Sequence, residues 1–184
     1  MRPALFFKLS KFVLLLLCFA IAYNSFAQQV YFSPKGGCQE AICREIDSAK
    51  SNVMVQAYTF SNGTITRALT DASRRGVQVS VILDKSQAKG KEWAQQKLTL
   101  FKITTLVDFN HAIAHNKIII IDNKTVITGS YNFTYAAETT NAENIVILTN
   151  QAVVSQFSSN WTFHAQHSQP FKPTTPPSEL MRRH

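Results

Sequence analysis

The chain has 184 residues, of which 19 are Lys or Arg and 11 are Asp or Glu, so its formal net charge is +8. This is the length of one domain rather than several. A basic chain favours polyanionic partners such as nucleic acid or anionic lipid headgroups. Many exported proteins are mildly basic, so the charge narrows the class of partner without choosing one.

The first 27 residues have the order of charged, apolar and small residues that is typical of a secretory signal. Three basic residues come first, residues 12–22 are almost entirely apolar, and Ser25 and Ala27 suit a signal peptidase. The apolar run is shorter than the ~20 residues that a transmembrane helix needs. We therefore expect cleavage after Ala27 rather than an uncleaved anchor. The mature chain would have a net charge of +5, no stable membrane span, and a periplasmic or secreted location.

From residue 28 onwards, predicted strands and helices alternate. Strands are predicted at Gln29–Ser33, Val53–Thr59, Val77–Leu83, Ile103–Val107, His115–Asp122, Thr125–Thr128 and Ile145–Leu148. Helices are predicted at Cys38–Lys50, Thr64–Arg75, Glu92–Leu100, Thr134–Thr139 and Gln151–His164. This alternation predicts an α/β layered sandwich, in which helices flank both faces of a central mixed, largely parallel sheet. The catalytic domain would span residues 28–168, and the Pro-rich residues 169–184 would form a poorly ordered tail.

Cys38 and Cys43 are the two cysteines that remain after the leader. An oxidising compartment would allow them to form a disulfide. A regular helix beginning at Cys38 would, however, place them about 140° apart around its axis. A bridge therefore requires Cys38 to precede the helix, and both a disulfide and two free thiols stay open. We do not expect zinc here, because no other cysteine and no suitably spaced histidine is nearby.

Two successive predicted strands carry a group of polar residues at their ends: His115, Lys117, Ser130 and Asn132. Side chains alternate between the faces of a strand, so His115 and Lys117 project on one side and Asp122 on the other. If the strands form a hairpin through Asn123 and Lys124, the four polar side chains converge on one patch.

Such a patch suits a phosphodiester. Lys117 would supply positive charge to the non-bridging oxygens, and Ser130 and Asn132 would donate hydrogen bonds to them. His115 could attack phosphorus or transfer protons. Asp122, which faces away, is interpreted as structural. Nothing in the group forms a metal-ligand cluster.

The spacing His-x-Lys-x4-Asp, followed after six intervening residues by Gly-Ser-x-Asn, resembles the signature of the phospholipase D superfamily at every named position. The resemblance spans roughly residues 31–161, and it is strongest to the small, single-motif bacterial endonucleases of that superfamily. It implies the phospholipase D-like fold, catalytic roles for His115, Lys117, Asp122 and Glu143, and a reaction without cofactor or metal.

The mechanism that this resemblance implies is a covalent phosphohistidine formed by His115 and then hydrolysed by water. Glu143 matches the acid that holds the nucleophilic histidine in its working tautomer. A second histidine must protonate the leaving oxygen. Because the motif occurs once, His115 of a second protomer is expected to provide it, in a homodimer with a shared active site.

Other histidines and lysines have ordinary explanations. His111 is interpreted as solvated, and His164 and His167 as cations at the end of the last helix. Lys85, Lys89, Lys91 and Lys97 could track phosphates, but a solvated basic face is the default interpretation.

Three functions are compatible with the motif. The preferred hypothesis is a non-specific endonuclease acting on DNA or RNA. The alternative is a phospholipase D that hydrolyses phospholipid headgroups to phosphatidic acid. A nucleic-acid-binding module without activity is disfavoured, because the catalytic residue types are all present.

Overall fold

The computed structural model describes residues 28–89 and 93–173. The predicted leader, residues 1–27, and residues 174–184 of the predicted tail lie outside the described residues. No helix within the described ranges has the length and apolarity that crossing a membrane requires.

The described elements follow the predicted order closely. The strands are β1 Gln29–Ser33, β2 Asn52–Ala57, β3 Gln78–Asp84, β4 Thr104–Asp108, β5 Lys117–Ile121, β6 Thr125–Gly129, β7 Glu143–Leu148 and β8 Gln169–Pro170. The helices are α1 Cys38–Ser48, α2 Gly63–Arg74, α3 Trp93–Leu100, α4 Tyr135–Thr139 and α5 Gln151–His167. A short 3-10 turn, Lys85–Gln87, follows β3.

All eight strands form one sheet in the order β1-β7-β6-β5-β2-β3-β4-β8. The predicted mixed sheet is confirmed, but the expectation that it is largely parallel is wrong. Among the described strands, β2 with β3 and β3 with β4 are parallel, and the other five pairings are antiparallel. Tight turns allow antiparallel neighbours, whereas parallel neighbours need crossovers, which α2 and α3 provide.

Helices cover both faces of the sheet, as predicted. The four isoleucines of β5 show why, because alternate residues of a strand face opposite sides. Ile119 and Ile121 join the larger core beneath α1, α2 and α3. Ile118 and Ile120 join a smaller core beneath α5. Burying both faces of β5 makes it a central strand whose polar end residues are held rigidly.

Helix α1 begins at Cys38 itself, so the two cysteines lie within one helix. Both thiols are free in this structure. Cys38 is fully buried and Cys43 is half-buried. The geometry that a bridge requires, with Cys38 ahead of the helix, is therefore not the one observed.

The start of the predicted tail is part of the fold. Gln169 and Pro170 form β8, which pairs with Val107 and Leu106 of β4. The amide of Phe171 donates to the Thr105 carbonyl at 2.9 Å, and its side chain is buried. The ordered domain thus extends at least three residues past the predicted boundary at residue 168. A two-residue strand has no periodicity to detect, and its proline stands at the sheet edge, where a missing N–H is tolerated.

Candidate active site

The hairpin of β5 and β6 brings the predicted catalytic segments together. Ile118 pairs with Thr128, and Ile121 pairs with Thr125 at the turn end. The open end therefore joins Lys117 to the stretch after Gly129. The amide of Tyr58 also donates to the Asn116 carbonyl at 3.0 Å, which fixes the backbone between His115 and Lys117. The predicted hairpin is present.

His115 and Lys117 are in contact. The Lys117 Nζ lies 2.9 Å from Nδ1 and 3.1 Å from Nε2 of the His115 ring, and it donates to the His115 carbonyl at 2.8 Å. The ring of Tyr58 packs against both groups, 4.4 Å from the imidazole centroid and 5.2 Å from Nζ. His115 is exposed, whereas Lys117 is only 7% exposed. An accessible imidazole thus stands beside a fixed cation.

The electrostatic setting of Lys117 combines two opposed effects. Burial lowers the pKa of the ammonium, and the nearby Glu143 carboxylate raises it, with a net pKa below the ordinary lysine value. The contact places this cation directly against the imidazole ring. A ring nitrogen that keeps its lone pair is the atom that can attack phosphorus.

Asp122 lies at the opposite end of β5 and does not reach this site. Its carboxylate accepts hydrogen bonds from the amides of Lys50 (2.9 Å), Ser51 (2.8 Å) and Asn52 (3.0 Å), and from the Ser51 hydroxyl (2.8 Å). Burial raises the pKa of Asp122, but these donors outweigh it and lower the pKa to about 2. Asp122 thus ties the hairpin turn to the loop that enters β2. This position fits the structural interpretation and not the catalytic role that the resemblance implied.

Ser130 and Asn132 follow β6, as the spacing predicts. The Ser130 hydroxyl donates to Asn144 Oδ1 at 3.2 Å and accepts from the backbone N–H of Asn144 at 3.1 Å. These two hydrogen bonds hold Ser130 against β7. The half-buried Asn132 has a buried Oδ1 without a hydrogen-bond partner among the described residues. This oxygen is an acceptor, so Asn132 could contact a phosphate oxygen only through its Nδ2 group.

Glu143 begins β7 and is half-buried. Its carboxylate accepts a hydrogen bond from the Asn141 amide at 3.1 Å and lies close enough to act on the pKa of Lys117. Among the hydrogen bonds of the described residues, none joins Glu143 to His115. The role of Glu143 in fixing the His115 tautomer stays a prediction.

Two buried acids that the motif does not include hold the loop leading to His115. Asp84 Oδ2 accepts from the Ala114 amide at 2.7 Å, and its Oδ1 accepts from the Ser86 amide at 2.8 Å. Burial raises the pKa of Asp84, yet these hydrogen bonds bring it below its ordinary value. At the other end, Asp108 accepts from the amides of Asn110 and His111. In the sequence, each acid comes directly after a run of apolar strand residues, and this position was the sequence feature that could have marked them as site residues.

His111, His164 and His167 differ from their sequence interpretation. Their rings all meet Asp108 rather than standing separately in solvent. His164 is 56 residues from Asp108 in the sequence, so no local sequence pattern could have predicted that they meet. Within the described residues, these four side chains form the one group that could hold a metal ion.

The fold agrees with the comparisons to known proteins. The family described as "Cardiolipin synthase, PLD-like domain" matches residues 42–163. The chain therefore belongs to the phospholipase D-like family, as its motif predicted.

Individual relatives point the same way. The chain is 45% identical over 130 residues to a protein named phospholipase D from Rickettsia conorii, covering 71% of this chain and 65% of the relative. The structure of Nuc, a phospholipase D family member from Salmonella typhimurium, superposes with a TM-score of 0.76 at 35% identity, over 80% of this chain and 99% of Nuc. NucT from Helicobacter pylori shares the fold, with a TM-score of 0.72 at 21% identity, over 80% of this chain and all of NucT.

Proposed function

We propose that this chain is an exported phosphodiesterase that cleaves DNA or RNA without sequence preference, through a covalent phosphohistidine on His115. The observation that carries the proposal is the pairing of an exposed imidazole with the buried ammonium of Lys117, 2.9 Å apart. An exposed nucleophile can reach a phosphate in the middle of a polymer. A fixed cation beside it can neutralise the charge that develops on the phosphoryl oxygens.

Further lysines along the same edge of the sheet favour a polyanionic substrate. In one row across the sheet, Lys117 pairs with Ala57, and Ala57 pairs with Leu83 of β3. Strand β3 is about 10 Å from β5, or two strand spacings. The exposed Lys85 and Lys89 follow β3. Phosphates further along a bound strand could contact these cations.

The reaction has two steps. In the first, a ring nitrogen of His115 attacks phosphorus, the N–P bond forms, and the P–O bond to the leaving group breaks. The leaving oxygen takes a proton from a second imidazole. In the second step, water attacks phosphorus, gives its proton to that imidazole, and the N–P bond breaks to restore His115. Lys117 and Asn132 hold the non-bridging oxygens in both steps.

The second imidazole is proposed to be His115 of another copy of the chain. Among the described residues, the imidazole that contacts Lys117 is that of His115 itself, while His111, His164 and His167 are engaged with Asp108. A twofold axis beside His115 would place two such rings on opposite sides of one phosphate.

A mixing experiment tests the shared site. Wild-type chain and the His115→Asn variant are co-expressed in equal amounts with different affinity tags, and mixed dimers are isolated. Each site requires both histidines, so mixed dimers should be inactive and the unfractionated pool should keep about one quarter of wild-type activity. Mixed dimers with half the wild-type activity would contradict a shared site, and so would an active monomer in sedimentation.

A substrate panel tests the reaction. Plasmid DNA, single-stranded DNA, RNA and phosphatidylcholine vesicles are each offered in the presence of EDTA, and samples quenched with denaturant at alkaline pH, where a P–N bond survives, are searched for phosphoryl adducts on His115. We expect nucleic-acid cleavage to continue in EDTA and the adduct to disappear in His115→Asn. Loss of hydrolysis in EDTA at temperatures where the chain stays folded would contradict the metal-free mechanism.

A specific feature favours phospholipase D activity as the second candidate function. Phe109 and Ile113, on the loop that leads into His115, are 47% and 58% exposed. Exposed apolar side chains beside a phosphodiesterase site could enter the headgroup region of a bilayer. The panel distinguishes the two candidates, because activity on vesicles alone would replace the endonuclease proposal. Replacing Phe109 and Ile113 by Ser should then abolish vesicle hydrolysis.

Export is tested separately. Fractionation of the producing cell, with the N-terminus determined by mass spectrometry, is expected to yield a periplasmic or secreted chain beginning at Gln28. A cytoplasmic chain that still carries residues 1–27 would contradict this part of the proposal.

A further inference from the structure

A second polar cluster lies at the end of β4, separate from His115. Asp108 Oδ2 is 2.9 Å from Nδ1 of His111, 2.9 Å from Nδ1 of His164 and 3.3 Å from Nε2 of His167. The four potential ligand atoms all lie within 4.8 Å of one another. Asp108 is fully buried and His164 is 8% exposed, whereas the His111 and His167 side chains are 40% and 21% exposed, so the group is reachable from solvent on one side.

The position of this cluster relative to the active site follows from the sheet register. Lys117, Ala57, Leu83 and Val107 form one row across β5, β2, β3 and β4. Asp108 comes directly after Val107, so the cluster lies on the same edge as Lys117, about 14 Å away, or three strand spacings. Residues 109–114 connect Asp108 to His115 along this edge.

The distances fit the dimensions of a tetrahedral transition-metal site. With metal–nitrogen and metal–oxygen bonds of about 2.0–2.1 Å, the ligand atoms of such a site stand about 3.3 Å apart. The three separations from Asp108 Oδ2, 2.9 to 3.3 Å, are already close to that value. The imidazole nitrogens need to approach one another by at most about 1.5 Å from their 4.8 Å limit.

Hydrogen bonding alone does not account well for the arrangement. Asp108 Oδ1 accepts from the amides of Asn110 at 2.9 Å and His111 at 3.3 Å. All three imidazoles contact the other oxygen, Oδ2. One carboxylate oxygen offers only about two lone-pair sites, so it cannot accept three good hydrogen bonds at once. A cation among the four atoms would use the lone pairs of the three nitrogens and of Oδ2. The backbone N–H groups of Asn110 and His111, which donate to Oδ1, would then orient the carboxylate.

We propose that Asp108, His111, His164 and His167 bind one divalent transition-metal ion, with Zn²⁺ as the preferred occupant. Three imidazoles and one carboxylate make an N/O ligand set of borderline softness, which suits Zn²⁺ rather than Ca²⁺ or Mg²⁺. Four protein ligands leave no open position, so the site is structural. It joins the loop that carries His111 to the last turns of α5. The chemistry at His115 does not pass through the ion.

Metal binding to the untagged full chain tests this proposal. After EDTA treatment and dialysis, Co²⁺ is added as a spectroscopic probe, and Zn²⁺ is measured by titration and elemental analysis. We expect one metal per chain, intense tetrahedral Co²⁺ absorption that Zn²⁺ abolishes, and a higher unfolding temperature with Zn²⁺. Wild-type chain that binds neither ion at micromolar concentrations would overturn the proposal.

Three variants locate the site. His111→Gln and His167→Gln change half-buried side chains, so each is expected to fold, with the same unfolding temperature in EDTA as the wild type. Each should weaken Zn²⁺ binding by about 100-fold or more and lose the thermal response to Zn²⁺. His115→Asn is the matched control and should bind Zn²⁺ normally. Unchanged binding in both Gln variants, or lost binding in His115→Asn, would overturn the assignment.

Discussion

The Lys117 ammonium lies against the His115 ring, with Nζ 2.9 Å from Nδ1 and 3.1 Å from Nε2. His115 lies two residues before β5, which begins at Lys117, and the backbone and ring of Tyr58 contact this segment. In the proposed reaction, the pairing keeps a cation at the place where a phosphate must arrive to meet the imidazole. When the phosphate binds, its oxygens become the better acceptor for Lys117, since they carry negative charge.

Removing this cation should impair catalysis more than folding. Lys117→Met keeps the length and the apolar stem of the side chain, and we expect it to lower kcat by about 100- to 1,000-fold, the usual effect of losing one transition-state donor. Lys124→Met is the matched control, because Lys124 is exposed at the turn end of the same hairpin. Equal activities of the two variants on the preferred substrate would show that Lys117 does not contact the phosphate.

Asp122 should stabilise the fold without taking part in catalysis. Asp122 has a positive φ of 52°, a conformation that Asn also tolerates, so Asp122→Asn removes the charge with little backbone strain. The variant loses charge-assisted acceptors for the loop at 50–52, and we expect the free energy of unfolding at pH 7 to fall by about 1–2 kcal/mol. Asp71→Asn, in an exposed pair with Arg74, is the control and should change it by less than about 0.5 kcal/mol.

The same carboxylate predicts a pH dependence of stability. Its pKa is about 2 in the folded chain, below the ordinary value of 3.8. A depressed folded pKa contributes stability above the unfolded pKa, and this contribution is lost as the pH falls from about 4 to about 2. Denaturant unfolding of wild type and Asp122→Asn should therefore differ at pH 7 and converge near pH 2. A difference that persists at pH 2 would assign the effect to something other than this charge.

Gly129 should be essential for the open end of the hairpin. A Cβ at this position would stand inside van der Waals contact of the Asn144 carbonyl oxygen and 2.9 Å from its carbon. Gly129→Ala must therefore push β6 from β7, disturbing the Ser130–Asn144 contacts, at a cost of about 1–3 kcal/mol.

Gly63→Ala is the matched control for this substitution. A Cβ there would meet the Trp93 ring at an ordinary 3.6 Å, and the residue begins α2. We expect unchanged or slightly higher stability in this variant, by up to about 1 kcal/mol. Thermal unfolding of both variants distinguishes local crowding from a general intolerance of side chains at glycine positions.

The two cysteines should be poorly reactive in the folded chain. Burial is the main reason that the pKa values of Cys38 and Cys43 are raised to about 11, with nearby acids adding to the shift. At neutral pH both are thiols rather than reactive thiolates. In a Cys18→Ser chain, a disulfide-exchange reagent should count two thiols after denaturation and react slowly before it. A count of zero in denaturant would reveal a disulfide and require α1 to begin later.

The local sequence determined much of the fold and the core of the candidate site. The type of each helix or strand follows from the spacing of its apolar residues, which can be read from the local sequence. His115 and Lys117 are two residues apart at one end of β5, and Asp122 is away from them because it follows the other end, next to the two-residue turn. Strand direction was less predictable, because an apolar strand buried on both faces looks the same in parallel and antiparallel pairings. β8 was not predicted, because a strand of two residues is too short to show an alternation of apolar and polar side chains.

Tertiary structure decided which separate segments meet. Asp108 gathers His111 from its own loop and His164 and His167 from α5, and this grouping depends on β4 standing beside the end of that helix. Asp84 fixes the loop before His115 from across β3. Such contacts join residues far apart in the chain, so spacing cannot predict them. The sequence by itself predicted which polar residue types meet at the open end of the β5–β6 hairpin, whereas the cluster of Asp108 with three histidines exists only once the sheet is assembled.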